Sequence, residues 1–135
     1  MQKEYRSKNH SKFLIKYHII FVCKYRRQVL KNVVLDESVK QVLFDIANES
    51  GFNIEVMETD MDHVHILVSS IPRLSPLQIV RKLKQESTYR IWKLHSDILR
   101  RIYWKEHTLW TDGYFVSTIG NVSQETVKHY IENQG

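Results

Sequence analysis

Two histidines separated by one residue, His63-Val64-His65, are the first feature of this sequence that could do chemistry. In a strand, side chains two apart leave one face, with Cα atoms roughly 6.5–7 Å apart. Two imidazoles so placed can converge on a metal ion, and neutral imidazole is the commonest protein ligand. Asp62 is a neighbouring carboxylate able to orient a ring. The pair carries little weight alone. Shuffling a chain with 7 histidines in 135 residues yields about 0.3 such pairs. Tyr130 and Gln134 make a second pairing, four residues apart and so on one face of a helix. An amide oxygen can join two histidines as a third ligand. A mixed N/O set with open positions suits Mg²⁺ or Mn²⁺ bound to a phosphate oxygen. The plainer alternative is a packed tyrosine ring and a surface glutamine. Tyr130 comes with a potential ligand, Gln134, one turn away. His10, His18, His95, His107 and His129 carry no spacing signal.

Two basic patches could meet a polyanion: Lys24, Arg26 and Arg27 with Tyr25 among them, and Arg81, Lys82 and Lys84. Interleaved aromatic rings, Tyr89 and Tyr103 included, offer stacking surfaces. A solvated charged face is the competing reading. The balance of 20 Lys+Arg against 15 Asp+Glu, a formal charge of +5, favours a polyanionic partner such as nucleic acid.

These residues need positioning elements. Residues 14–23 (LIKYHIIFVC) are β-branched, aromatic and nearly all apolar, as in a central strand. Asp36 suits an N-cap, Val39, Val42, Leu43, Ile46 and Ala47 follow at helical spacing, and Gly51 closes the helix. Phe52, Ile54 and Val56 alternate with polar residues as in a strand, and 60–62 fit a tight turn. A strand over 63–70 then places Val64, Ile66 and Val68 on one face and His63, His65 and Leu67 on the other. Pro76 suits the first turn of a second long helix, whose stripe is Leu77, Val80, Leu83, Ile91 and Leu94. Residues 114–119 form a short strand that Gly120 breaks. Ser123 caps a last helix over 124–134. The order β-α-β-β-α-β plus a helix predicts an α+β, ferredoxin-like split antiparallel sheet with helices on one face and an additional C-terminal helix. All 135 residues form one domain, with 1–12 flexible and 122–135 carrying the Tyr130 helix. No run reaches the roughly 18 apolar residues of a membrane span. The start lacks a signal peptide's apolar run, and the lone Cys23 reads as a buried thiol in the cytoplasm.

Four segments, YHIIFVCKYRRQVL, ETDMDHVHILVS, LWTDGYFVSTIG and VKHYIENQ, together resemble the small tyrosine HUH transposases of the simplest insertion sequences, the TnpA or IS200-like family. HUH denotes His, hydrophobic residue, His. The resemblance spans about residues 14–134. It implies Tyr130 as nucleophile, Mg²⁺ or Mn²⁺ on His63, His65 and Gln134, and a homodimer in which one subunit's tyrosine helix can complete the other's site. It also implies single-stranded DNA with hairpin ends as substrate, cut through a 5′-phosphotyrosine. The sequence stops one residue after Gln134, so the C-terminal tail of some members is expected to be missing. The rivals are a binding-only or domesticated nucleic-acid module and a replication-initiator or relaxase type of HUH nuclease, usually a longer chain. A plain basic α+β domain would leave both histidines facing solvent without a polar partner.

Overall fold

The computed structural model describes residues 6–8, 11–13, 15–118 and 123–134. In chain order the elements are β1 (Arg6–Lys8), β2 (Ser11–Phe13), β3 (Ile15–Val22), α1 (Val33–Ser50), β4 (Asn53–Asp60), β5 (His63–Ser70), α2 (Pro76–Ile102), β6 (Phe115–Ser117) and α3 (Gln124–Glu132). The main sheet is antiparallel with order β4-β5-β3-β6. This is the strand order of the split βαβ arrangement that the sequence predicts. Where flexibility is expected at the start, β1 and β2 pair as a small antiparallel ladder, Arg6 opposite Phe13. Leu14, Ile119 and Gly120, which enter the expected strand limits, lie outside the described residues.

The core follows from alternation. Ile19, Phe21, Val64, Ile66 and Val68 are buried on one face of the sheet, beneath α1 and α2. Gly51 ends α1 in a left-handed conformation, φ 84°, which costs glycine nothing. Three expectations are corrected. The N-cap of α1 is Asn32, whose side chain accepts from the Leu35 N–H, and Asp36 lies in the first turn. A register shift between Ile54 and Val56 turns Val56 outward, and Met57 packs on the core instead. Leu77 and Leu94 are exposed, while Ile79, Trp92 and Leu99 complete the buried stripe of α2. Ser75 caps α2 in a reciprocal box with Gln78, and Pro76 opens its first turn.

The other face is covered by α3 rather than left open. Ile131 packs on Ile20 and Val22, with Phe115, Val127 and Tyr130 around them. Ser123 caps this helix through the Thr126 N–H. Residues 109–111 run beside the end of β3: Trp110 bridges to Cys23, and the Thr111 N–H donates to the Val22 carbonyl. Buried Trp110 is tied to α2 by Nε1 donating to Ser87 Oγ at 2.9 Å. Ser87→Ala leaves that donor unsatisfied and is expected to cost about 1–3 kcal/mol. Urea denaturation should show a lower midpoint at unchanged slope. A loss under roughly 0.5 kcal/mol would mean the indole finds another acceptor.

Candidate active site

The site is built on the second face of the sheet. Val22 pairs with His63 and Ile20 with His65 across β3 and β5. Directly opposed residues share a face, so both imidazoles stand on the side that α3 covers. The two-residue turn at Met61-Asp62 sets the partner strand too: Asp60 opposes His63 and Glu58 opposes His65. The result is an open groove of about 640 Å³ between β4, β5 and α3. Its walls bring Glu58, Asp60, Asp62 and Glu132 against Arg26 and Lys128. Four carboxylates against two cations favour a bound cation.

Each histidine has a polar partner, contrary to the plain-domain alternative. His63 Nδ1 lies 2.9 Å from Asp62 Oδ1. A carboxylate accepts only, so Nδ1 carries the proton and the Nε2 lone pair is left for a ligand. His18 Nδ1 lies 3.1 Å from His65 Nε2, which requires at least one of these rings to be neutral. Burial, then the His18 ring, hold His65 below its ordinary pKa. A neutral imidazole is what a metal needs. His18 carries no signal in sequence spacing; only the strand register sets it beside His65.

Arg26 enters the groove through a strained turn. Tyr25 and Arg26 both adopt positive φ, 59° and 53°. Such a pair of non-glycine residues is costly and persists where surroundings enforce it. Here the Arg26 N–H donates to the Cys23 carbonyl, and the Cys23 N–H to the Asp62 carbonyl. The Tyr103 hydroxyl donates to the Lys24 carbonyl. Arg26 Nε stands 3.5 Å from Asp62 Oδ2 and makes no hydrogen bond among the described residues. One carboxylate thus addresses both His63 and Arg26. Buried Cys23 has its thiol pKa pushed up, chiefly by burial, and is inert beside this turn.

Tyr130 and Gln134 do share a side of the C-terminal segment, but not the side of the histidines. The described α3 ends at Glu132, and Gln134 lies just beyond it. Tyr130 packs on Phe115 with ring centroids 5.7 Å apart. Gln134 Oε1 accepts from the Thr111 hydroxyl at 3.3 Å. Both lie beside Gly113: a Cβ there would stand 3.7 Å from Tyr130 Oη and 3.5 Å from Gln134 Oε1. The helix residues lining the histidine groove are Val127, Lys128, Ile131 and Glu132. Tyr130 faces the β6 edge, two strands from β5 at roughly 4.8 Å per strand. Its hydroxyl is buried without a hydrogen bond among the described residues. Burial raises its pKa to about 12, and the nearby Thr111 hydroxyl offsets only part of this.

Two imidazoles fit two ligand positions of a divalent metal. Among the described residues no group of three or more His, Cys, Asp or Glu could hold an ion, so a metal held by these two imidazoles would require a donor of another kind. The basic patches also rearrange. Lys24 pairs with Asp112 at 3.5 Å, the Tyr25 hydroxyl donates to Glu106, and Arg27 lies over Trp104. Lys84 donates to the Gly113 carbonyl and feels the charges of Lys24 and Asp112, so it belongs with the first patch. Arg81 and Lys82 are exposed on α2, with Lys82 acting on Glu49 of α1.

Residues 11–134 match the family described as IS200-like transposase. The chain is 32% identical over 122 residues to the ISDra2 transposase TnpA of Deinococcus radiodurans, covering 90% of this chain and 85% of that one. It is 28% identical over 130 residues to the IS200 transposase of Salmonella typhimurium, covering 94% and 84%. A crystal structure of a Deinococcus radiodurans protein assigned as a transposase superposes with TM-score 0.85 and 31% identity, over 96% of this chain and 97% of that one. A REP-associated tyrosine transposase bound to a REP hairpin shares the fold, with TM-score 0.56 and 11% identity over 98% and 67%.

The lowered His65 pKa has a readable sign. The unfolded imidazole takes a proton first, so the stability His65 contributes is present above pH 6.5 and lost as pH falls through its folded value. An NMR titration should place the His65 midpoint below 6.5. His18→Ala should raise it only in part, because burial is the larger cause. A midpoint at or above 6.5 in the unaltered protein would contradict the lowered His65 pKa.

Proposed function

The chain belongs to the IS200-like transposase family, and on that premise we propose that it cuts and rejoins single-stranded DNA with Tyr130 as the nucleophile. What carries the reading is a phenol hydroxyl buried without a hydrogen bond among the described residues, with an amide just past the end of its helix, whose other side borders a histidine pair in an acidic groove. Oη of Tyr130 attacks a phosphodiester phosphorus and loses its proton. The 3′-oxygen leaves and takes one up. A 5′-phosphotyrosine and a free 3′-OH result. One phosphodiester has replaced another, so a second 3′-OH can reverse the step on a new strand without ATP.

A free phenol ionises near pH 10, and this one is held higher. It must leave its pocket for a more cationic place to become a nucleophile. His63, His65 and Gln134 would hold Mg²⁺ or Mn²⁺, and when bound such an ion supplies positive charge against the phosphate oxygens. Asp62 keeps His63 in the tautomer that a ligand needs. Arg26 offers its guanidinium to the same phosphate.

Tyr130 and Gln134 lie on the opposite side of α3 from the histidines, which favours a site completed by the helix of a second copy. A homodimer also supplies two nucleophiles, one for each cut end. Lys24, Tyr25, Arg27, Arg81, Lys82 and Lys84 would track the DNA backbone. Hairpin ends are the substrate feature we propose, in keeping with the neighbour bound to a REP hairpin. No helix of the described residues is long and apolar enough to cross a membrane, and the cytoplasm is the proposed compartment.

The separation of Tyr130 from the histidines would equally suit a module that only binds. One assay separates the two. With hairpin-bearing single-stranded DNA from the chain's own element, a covalent adduct is expected with Mg²⁺ and not with chelator. Tyr130→Phe should abolish it. Asp62→Ala should weaken metal affinity or activity about 10–100-fold. DNA binding without any metal-dependent adduct would establish the binding-only reading, and an adduct on Tyr130→Phe would move the nucleophile elsewhere.

A further inference from the structure

A groove of about 800 Å³ runs between α2 and residues 107–112, on the Tyr130 side of the molecule. We propose that it seats an unpaired nucleotide of the DNA strand that Tyr130 attacks, with the base against Tyr89 and His107 and a phosphate at Lys84. The proposal rests on reading Tyr130 as the nucleophile.

The wall is aromatic and already rigid. The rings of Trp92 and His107 stack with centroids 4.1 Å apart and planes 9° apart. Trp92 Nε1 donates to the Thr108 carbonyl, and Trp110 Nε1 to Ser87, so both indoles are fixed before any ligand arrives. Beyond them Tyr89 leaves 66% of its surface in water, and His107 is exposed. An exposed ring next to a stacked pair is a platform for a further flat ring, and every base has a π-face to lay on it. The volume lies in the range of sites that enclose small organic ligands.

The polar groups suit a nucleotide. Lys84 is half-buried, and among the described residues it has no carboxylate within ion-pair reach; its ammonium donates only to the neutral Gly113 carbonyl, at 3.1 Å. Two of its protons remain for an anion. Lys93 lies over the Tyr89 ring at 6.0 Å and adds positive charge. The Gln85 amide lines the groove with no hydrogen bond among the described residues, free to meet a base edge.

Position links the groove to Tyr130. Thr111, part of the wall, donates to Gln134, and the Gly113 whose carbonyl holds Lys84 is the residue beside Tyr130 Oη. The groove wall therefore adjoins the pocket in which Tyr130 rests, which ties its occupant to the strand this tyrosine attacks.

The test uses the full chain and a fluorescein-labelled 12-nucleotide oligothymidylate, which forms no hairpin, read by anisotropy at fixed salt. Tyr89→Ala and His107→Ala should each weaken binding about tenfold, and Tyr89→Phe should not. Lys84→Gln should weaken binding and lower the slope of log affinity against log salt by about 0.7. Phe44→Ala, exposed on α1, is the control. Binding by Tyr89→Ala within twofold of the unaltered chain overturns the proposal. If a variant melts early by circular dichroism, 5-iodouracil cross-linking of the unaltered chain decides: attachment at Gln85, Tyr89 or His107 supports the groove, and attachment only elsewhere overturns it. Binding here without a Tyr130 adduct would leave the groove standing and remove the nucleophile. An adduct with groove variants unaffected would do the reverse.

Discussion

The β3–β5 register is the constraint on which the rest depends. It puts His63 opposite Val22 and His65 opposite Ile20, and the Cys23 N–H locks its end on the Asp62 carbonyl. A slip of one residue would turn both imidazoles into the core and Val64, Ile66 and Val68 into water. Burying such side chains is worth roughly 1.5–3 kcal/mol each, which outweighs any preference of the imidazoles. Packing on the α1–α2 face therefore orients the chemistry on the other.

That second face would be a polar sheet surface without α3. A helix of 9 residues has little stability of its own. Its place is set by Ile131 and its neighbours on Ile20 and Val22, and by the Ser123 cap. Lying over β3, it has two flanks. One meets the histidine groove with Val127, Lys128 and Glu132; the other meets Thr111, Gly113 and Phe115 with Tyr130 and Gln134. The strand between these flanks is what separates Tyr130 from the histidines within one chain.

Local pattern carries most of the fold. Gly51, Pro76 and Ser123 mark helix ends by backbone chemistry that depends on single residues, and the alternation in 63–70 fixes the histidine face. Asn32 displaces Asp36 as a cap because Leu35 must already be helical to reach the core. The bulge at Ile54/Val56 breaks an alternation that looks regular in sequence. His18 beside His65, Arg26 beside Asp62 and His107 on Trp92 depend on register, a positive-φ turn and a long connection. Spacing along one segment holds none of that. The sharing of a side by Tyr130 and Gln134 is legible from their four-residue interval, but which way that side points is a matter of tertiary packing.

A shared site is tested most directly by mixing two defective chains. Tyr130→Phe keeps the histidines but removes the proposed nucleophile. His63→Ala keeps Tyr130 but removes a proposed metal ligand. With chains of different length co-expressed and exchanged into one dimer, a site completed across the dimer should restore a covalent DNA adduct, carried solely by the His63→Ala chain. No adduct in the mixture, with the unaltered chain active beside it, would place Tyr130 with its own histidines and contradict the arrangement argued from α3.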